Sequence, residues 1–278
     1  MLYQRLSWGA VALHLVQAII VCGLTIWLDT QQPKGLRKGV FPLYKPVHIW
    51  KKGLNDSNSP IAPNIRVDLV MEQAGSLDVR WAIVAFFAMS AAFPAAVLWL
   101  NVSSSYRFLE YSISASTMLM AIAVEAGVDD IYTLQCMFVL TFATMILGLI
   151  AEFAPQPLSW TAHATAWITF LSAYSPILDA FMQSNNRSVA SAPGFVNIII
   201  IFEFLLFTCF GITQVYELFI QKDEASTQAE HQELLDYNTP MPEEAVTNDK
   251  QWIDLAYVSL SLTAKTILAW LILAPILF

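Results

Sequence analysis

The side chains best placed to do chemistry in this sequence are the few ionisable ones that interrupt long apolar runs. Lys265 is the only charge within 255–278. It lies 14 residues after Gln251 and 13 before Phe278, so on a helix it stands about 20 Å from either end. A charge near the middle of a bilayer is costly. A lysine stem reaches only about 6 Å of the roughly 15 Å from the midplane to the edge of the hydrocarbon core, too short to snorkel out. A neutral lysine amine is a nucleophile, as Schiff-base formation with an aldehyde requires.

A protonated Schiff base in lipid needs a counter-ion, and Glu110 offers one. With a helix starting near Asn101, it lies about 13 Å in, close to the midplane. Ser103, Arg107, Glu110, Ser114 and Thr117 recur at intervals of three and four, which puts them on one polar stripe facing protein. Ser261 is one turn before Lys265 on the same face, able to hydrogen-bond the nitrogen or the carboxylate. Asp254 shares that face but lies about 16 Å away along the axis, too far to be the primary partner. His14 and Gln17, spaced i and i+3, form a further polar pair suited to accepting a proton or organising water. Glu203 is placed to pair with a neighbouring helix and Glu217 lies close to an interface, while Glu125, Glu152 and His163 mark span ends.

These residues need elements that cross a membrane, and the composition supplies them. Of 278 residues 56% are hydrophobic and only 13% charged, against about 25% charged in an ordinary soluble domain. Asp, Glu, Lys and Arg are absent from 7–28, 81–106, 131–151, 153–178 and 188–202, and a span needs about 20 residues. With 111–124 and 255–278 this predicts seven spans, at 8–28, 80–99, 102–125, 131–152, 159–182, 195–220 and 251–277. One seven-helix domain over 1–278 accounts for most of the chain. The first run reaches Trp27 and Leu28 without a small-residue cleavage pattern and reads as a span rather than a signal peptide. Cys22, Cys136 and Cys209 all fall inside spans, which argues against a disulfide framework.

Two long connections remain. The first, 29–79, mixes β-branched and aromatic residues with proline in VFPLYKPVHIW (40–50) and suggests a short ordered hairpin or extended cap. The other, 221–250, reads as an acidic loop, with eight acids and two bases between Lys222 and Lys250. Neither carries a Gly-rich phosphate cradle, a metal-ligand spacing or a nucleophile elbow, so neither an enzyme nor a nucleic-acid partner is expected. Eight of the 14 basic residues lie between Asp29 and Arg80, which leans mildly towards an outside N-terminus.

The seven spans, SLSLTAKTILAW (259–270), RFLEYSISAS (107–116) and LHLVQ (13–17) together resemble heliorhodopsin, a family of retinal proteins. The resemblance covers essentially the whole chain, and its third-span form, Glu in R-x-x-E-Y-S-x-S, differs from the aspartate usual in other microbial rhodopsins. It implies an all-α rhodopsin-like bundle with a β-ribbon in the first extracellular loop, and all-trans retinal bound covalently to Lys265. Glu110 would be the counter-ion, with Ser261, Ser114, Met145 and Phe207 also at the chromophore. His14, Gln17 and Ser90 would line a hydrated cavity, and Arg107 would form a cytoplasmic constriction. The resemblance also implies a cytoplasmic N-terminus, an extracellular C-terminus, a cytoplasmic 221–250 loop and a homodimer. That orientation outweighs a charge count over a long loop.

One departure stands out. The family often carries a second histidine about one turn after the serine matching Ser90, and here FFAMSAAFP (86–94) has Pro94 at that place. The expected function is light sensing with Schiff-base proton transfer and an unidentified signalling partner. A light-gated proton conductance and a retinal-free seven-helix receptor or transporter are the rivals.

Overall fold

The computed structural model describes residues 2–31, 38–52, 65–100, 106–186, 194–234 and 243–277. Among these described residues seven helices run as α1 (Leu2–Gln31), α2 (Val79–Leu100), α3 (Arg107–Glu125), α4 (Ile131–Phe153), α5 (Leu158–Asn186), α6 (Gly194–Leu234) and α7 (Glu243–Leu277). Five of them, in α1, α2, α4, α6 and α7, are long and apolar enough to cross a membrane. The other two are the more polar: α3 carries three serines and Glu110, all of them buried, because its neighbours shield it from lipid.

Burial follows from having lipid as the outer solvent. Val79, Ile83, Phe87, Ile122, Leu134, Ile177, Ala269 and Ile272 pack between helices, while Leu15, Ile19, Ile168, Ile198, Ile201 and Ile212 face outward. Helices satisfy their own backbone hydrogen bonds, so an apolar exterior carries no penalty in a bilayer. Trp27, Trp81, Trp99 and Trp252 are all exposed and lie near the ends of the apolar spans, where amphipathic rings suit the headgroup level.

Between α1 and α2 the chain forms an antiparallel ribbon, β1 (Val40–Lys52) paired with β2 (Ile65–Asp78) from Val40↔Asp78 to Lys52↔Ile65. At 13 and 14 residues its strands are longer than the short hairpin expected. The ribbon is tied to the bundle at its base. Val79 N–H donates to the Gly39 carbonyl (2.9 Å) and Tyr44 N–H to the Asp129 carbonyl (2.9 Å). Gly39 has φ +82°, and a Cβ there would come 3.0 Å from Ile276 Cγ2, so glycine answers both the backbone and the close approach. Arg80, fully buried, pairs with Asp78 (2.7 Å) and with Asp29 at the end of α1 (3.0 Å).

Two expectations need correction. Much of the 221–250 segment is helical rather than loop: α6 continues to Leu234 and α7 begins at Glu243, and 235–242 lie outside the described residues. Acidity and polarity signalled water, but Glu, Gln, Lys and Ala are good helix formers, so the helices run on past the apolar spans. The third helix starts at Arg107 rather than near 101, which puts Glu110 in its first turn. Ser103 lies outside the described residues. The α3–α4 turn is tight because Gly127 adopts φ +101° and Asp130 caps α4, accepting from Thr133 N–H at 2.8 Å, a contact of a kind that contributes about 1 kcal/mol.

Candidate functional site

α3 and α7 bring the two singled-out charges together. Lys265 Nζ lies 2.7 and 2.6 Å from the two oxygens of Glu110, and both residues are buried. Ser90, on α2, donates to Glu110 Oε1 at 3.1 Å. The Tyr111 ring centroid is 5.0 Å from Nζ and that of Phe86 5.9 Å. A buried ion pair of this kind persists only with close geometry and further hydrogen bonds, and the bidentate contact and Ser90 supply both. Although Glu110 is in the first turn of α3, the two side chains meet, since the depth of each residue is set by packing rather than by distance from a helix end.

Lys265 stands where two cavities meet, and Tyr111 and Ser261 line both. On one side is a mainly apolar cavity walled by Met118, Met145, Trp167, Phe170, Phe207 and Phe210. Phe170 and Phe207 stack with centroids 4.4 Å apart and planes 11° apart. Ser114, Met145, Phe207 and Ser261, the residues expected at a chromophore, all line this cavity. Ser114 Oγ is buried there without a hydrogen-bond partner among the described residues.

On the other side is a polar cavity lined by Ser7, His14, Ser90, Arg107, Glu110 and Asp254. His14 Nδ1 lies 3.1 Å from Gln17 Oε1, and Gln17 Nε2 donates to Thr266 Oγ1 at 3.2 Å. With its amide nitrogen committed to Thr266, Gln17 presents an acceptor to His14. The histidine proton therefore sits on Nδ1 and the lone pair on Nε2. His14 also stacks on Phe87 (5.8 Å). Pro94 lies within α2, which continues through it, and lines this cavity where a second histidine was sought.

Arg107 closes the polar side. Its Nη1 donates to Asp254 at 3.0 Å, and Nη2 lies 3.4 Å from Glu152 and 3.7 Å from Glu217. The guanidinium carbon is 4.0 Å from the Tyr257 ring centroid, and Tyr257 O–H donates to Glu217 at 3.2 Å. The sequence separated Asp254 from Lys265, as observed, but gave Glu152 and Glu217 no partner. They reach Arg107 because α4, α6 and α7 converge there.

Two further residues were misjudged or left without a role. Glu203 is buried in the wall of the apolar cavity and makes no hydrogen bond among the described residues. His163, expected to mark a span end, lies in the second turn of α5 and is buried there, hydrogen-bonded to Gln214 and Trp167. Its i, i+4 spacing from Trp167 inside a charge-free run was the available signal. No cluster of three metal-ligating side chains occurs among the described residues, and the three cysteines are free.

Retinal, a rod-shaped apolar aldehyde, can be tested against these features. The cavity is apolar and flanked by flat rings, it begins at a lysine amine, and its orphaned Ser114 hydroxyl is within the same enclosure. The residues fit.

Comparison with known proteins gives the same direction. A family model described as Heliorhodopsin matches residues 3–222. That range contains Glu110 and His14 but not Lys265, so the lysine rests on its own geometry. No curated protein matches. Among solved structures, halorhodopsin, a light-driven chloride pump, is similar at TM-score 0.65 and 13% identity, over 100% of this chain and 95% of its own. A cyanorhodopsin from the cyanobacterium Tolypothrix sp. is similar at TM-score 0.62 and 11% identity, over 100% and 96%. A light-driven proton pump from Leptosphaeria maculans is similar at TM-score 0.54 and 12% identity, over 98% and 93%. At such identities these three speak for the fold alone.

Proposed function

The chain belongs to the heliorhodopsin family, and from that premise we propose that this multi-pass membrane protein is a light sensor holding all-trans retinal on Lys265 as a Schiff base. The observation that carries the reading is the buried Lys265–Glu110 pair at the junction of the apolar and polar cavities. When bound, retinal would supply light absorption and isomerisation from all-trans to 13-cis.

The protein's own groups have separable tasks. Glu110 balances the positive charge at Nζ and, through oxygens 2.6 and 2.7 Å away, is placed to take a proton from it. Ser90 holds the carboxylate in orientation. Met145 and Phe207 would enclose the apolar body of the chromophore, with Ser114 and Ser261 as polar groups beside it. In the polar cavity His14 Nε2 is the free acceptor, held in place by Gln17 and Thr266. A proton arriving there would alter the α1–α7 contact, and Arg107 with its three carboxylates bars the way beyond.

We take residues 1–278 as one retinal-binding domain, with the N-terminus cytoplasmic, the ribbon and C-terminus extracellular, a homodimer as the assembly, and an unidentified partner receiving the signal. It acts as a photoreceptor rather than an enzyme. Pumping requires donor and acceptor groups on both sides of Nζ, and α3 after Ser114 and α7 after Lys265 are almost wholly apolar.

A second reading is a light-gated proton conductance, and Glu203 favours it as a buried carboxyl sharing the apolar cavity with Lys265. Photocurrents under voltage clamp separate the two. Transient charge movement supports the sensor, while sustained voltage-dependent current supports conductance. A retinal-free receptor or transporter predicts no visible absorption band when all-trans retinal is added to membranes carrying the protein.

A further inference from the structure

A chain of polar groups crosses the apolar cavity's wall, away from the Lys265 and Arg107 clusters. Trp167 Nε1 donates to His163 Nε2 at 3.0 Å. His163 Nδ1 lies 2.9 Å from Gln214 Oε1, and Gln214 Nε2 donates to the Gly148 carbonyl at 2.7 Å. An indole N–H can only donate, so His163 accepts at Nε2 and donates from Nδ1. Every bond then runs in one direction, from α5 through α6 to α4, and His163 is neutral. The only consistent assignment satisfies all members, the condition under which a buried polar network rigidifies its surroundings.

Glycines make room at both ends. A Cβ on Gly211 would run into the Trp167 ring, and one on Gly148 would lie 2.8 Å from Phe108 Cε1 and 3.3 Å from Gln214 Nε2. The indole is thus seated on glycine and held by hydrogen bond at its nitrogen. It also borders Phe170 (6.0 Å between centroids), the ring stacked on Phe207.

Resting on the retinal reading above, we propose that His163 is a positioning residue which, through this relay, fixes the Trp167 indole in the gap at Gly211 and makes the cavity select a straight polyene over a bent one. A bend in the ligand chain moves one end sideways into a wall. A side chain free to change rotamer gives way, whereas one seated on glycine and bonded at its far edge does not. Among side chains that can replace the imidazole, glutamine keeps one donor and one acceptor, and leucine keeps neither.

The test uses the full-length protein, unaltered and as His163→Leu and His163→Gln, with two readouts. In the retinal-free protein, ultraviolet resonance Raman spectroscopy follows the indole N–H, with Trp167→Phe identifying its signal. In the second, each protein is offered equal all-trans and 9-cis retinal and the bound isomers are extracted. The expected result is that His163→Leu shifts the Trp167 signal to that of an unbonded indole and loses the all-trans preference, while His163→Gln keeps both. Gly211→Ala, which crowds the indole without touching His163, is expected to lose the preference as well, and stands in should His163→Leu not fold. An unmoved indole signal in His163→Leu overturns the relay. A moved signal with the all-trans preference intact overturns the selectivity. Failure of the unaltered protein to form any pigment overturns the retinal reading and the selectivity with it, whereas pigment formed from both isomers equally overturns only this proposal.

Discussion

The two cavities that meet at Lys265 share walls on α2, α3 and α7 yet differ in physical character. The apolar one is walled by aromatic rings and methionines, and its polar chain through His163 runs from the Trp167 indole to the Gly148 carbonyl, with each nitrogen donor on it given an acceptor. The polar one brings together His14, Glu110, Arg107 and Asp254 and leaves an acceptor open at His14 Nε2. A satisfied network holds shape, whereas an unsatisfied one can take up a proton, and the difference teaches that a single lysine can be served by a rigid side and a responsive side.

The contrast can be broken most severely at its shared residue. Lys265→Ala is expected to abolish the visible band entirely when all-trans retinal is added to membranes, and a band that survives would end the assignment of the attachment site. Glu110→Gln comes next. With the negative charge gone the protonated form loses its stabilisation, so absorption should shift to the red and the visible form should give way to a near-ultraviolet one at lower pH than in the unaltered protein. An unchanged titration removes Glu110 as counter-ion. In the retinal-free protein the same substitution leaves Lys265 buried without its partner, a loss typically of about 3–5 kcal/mol, readable as a lower midpoint of thermal unfolding.

Smaller effects sharpen the polar side. His14→Ala is expected to change the rate at which absorbance recovers after a flash while leaving the dark spectrum almost in place, and identical kinetics would reduce His14 to packing against Phe87. Thr266→Val removes the acceptor for Gln17 Nε2, a hydrogen bond typically worth about 1 kcal/mol. Its effect on the same recovery should be in the same direction as that of His14→Ala and weaker. A larger effect than that of His14→Ala would mean that Thr266 acts on Lys265 directly rather than through Gln17.

Much of this site was legible because a membrane makes charge scarce. Lys265 and Glu110 stood out as isolated ionisable residues in apolar runs, and a costly group in lipid needs a partner within reach. The same reasoning failed at Glu152, Glu217 and His163, which lie near ends of apolar runs, where position along one helix says nothing about which neighbours arrive from others. The acidic 221–250 segment misled for a related reason: polarity marks exposure to water, and it does not by itself end a helix.

The sequence by itself determined the class of protein, the approximate spans, the ribbon and the two residues whose charges had to meet, because hydropathy and helical spacing are local properties that survive without knowledge of the fold. Only the tertiary structure decided that Arg107 gathers three carboxylates, that Gln17 reaches Thr266, and that Trp167 is seated on Gly211 and hydrogen-bonded to His163. Each of these joins helices far apart in sequence, and the angle and depth at which helices pack depend on all their side chains together rather than on the spacing within any one of them.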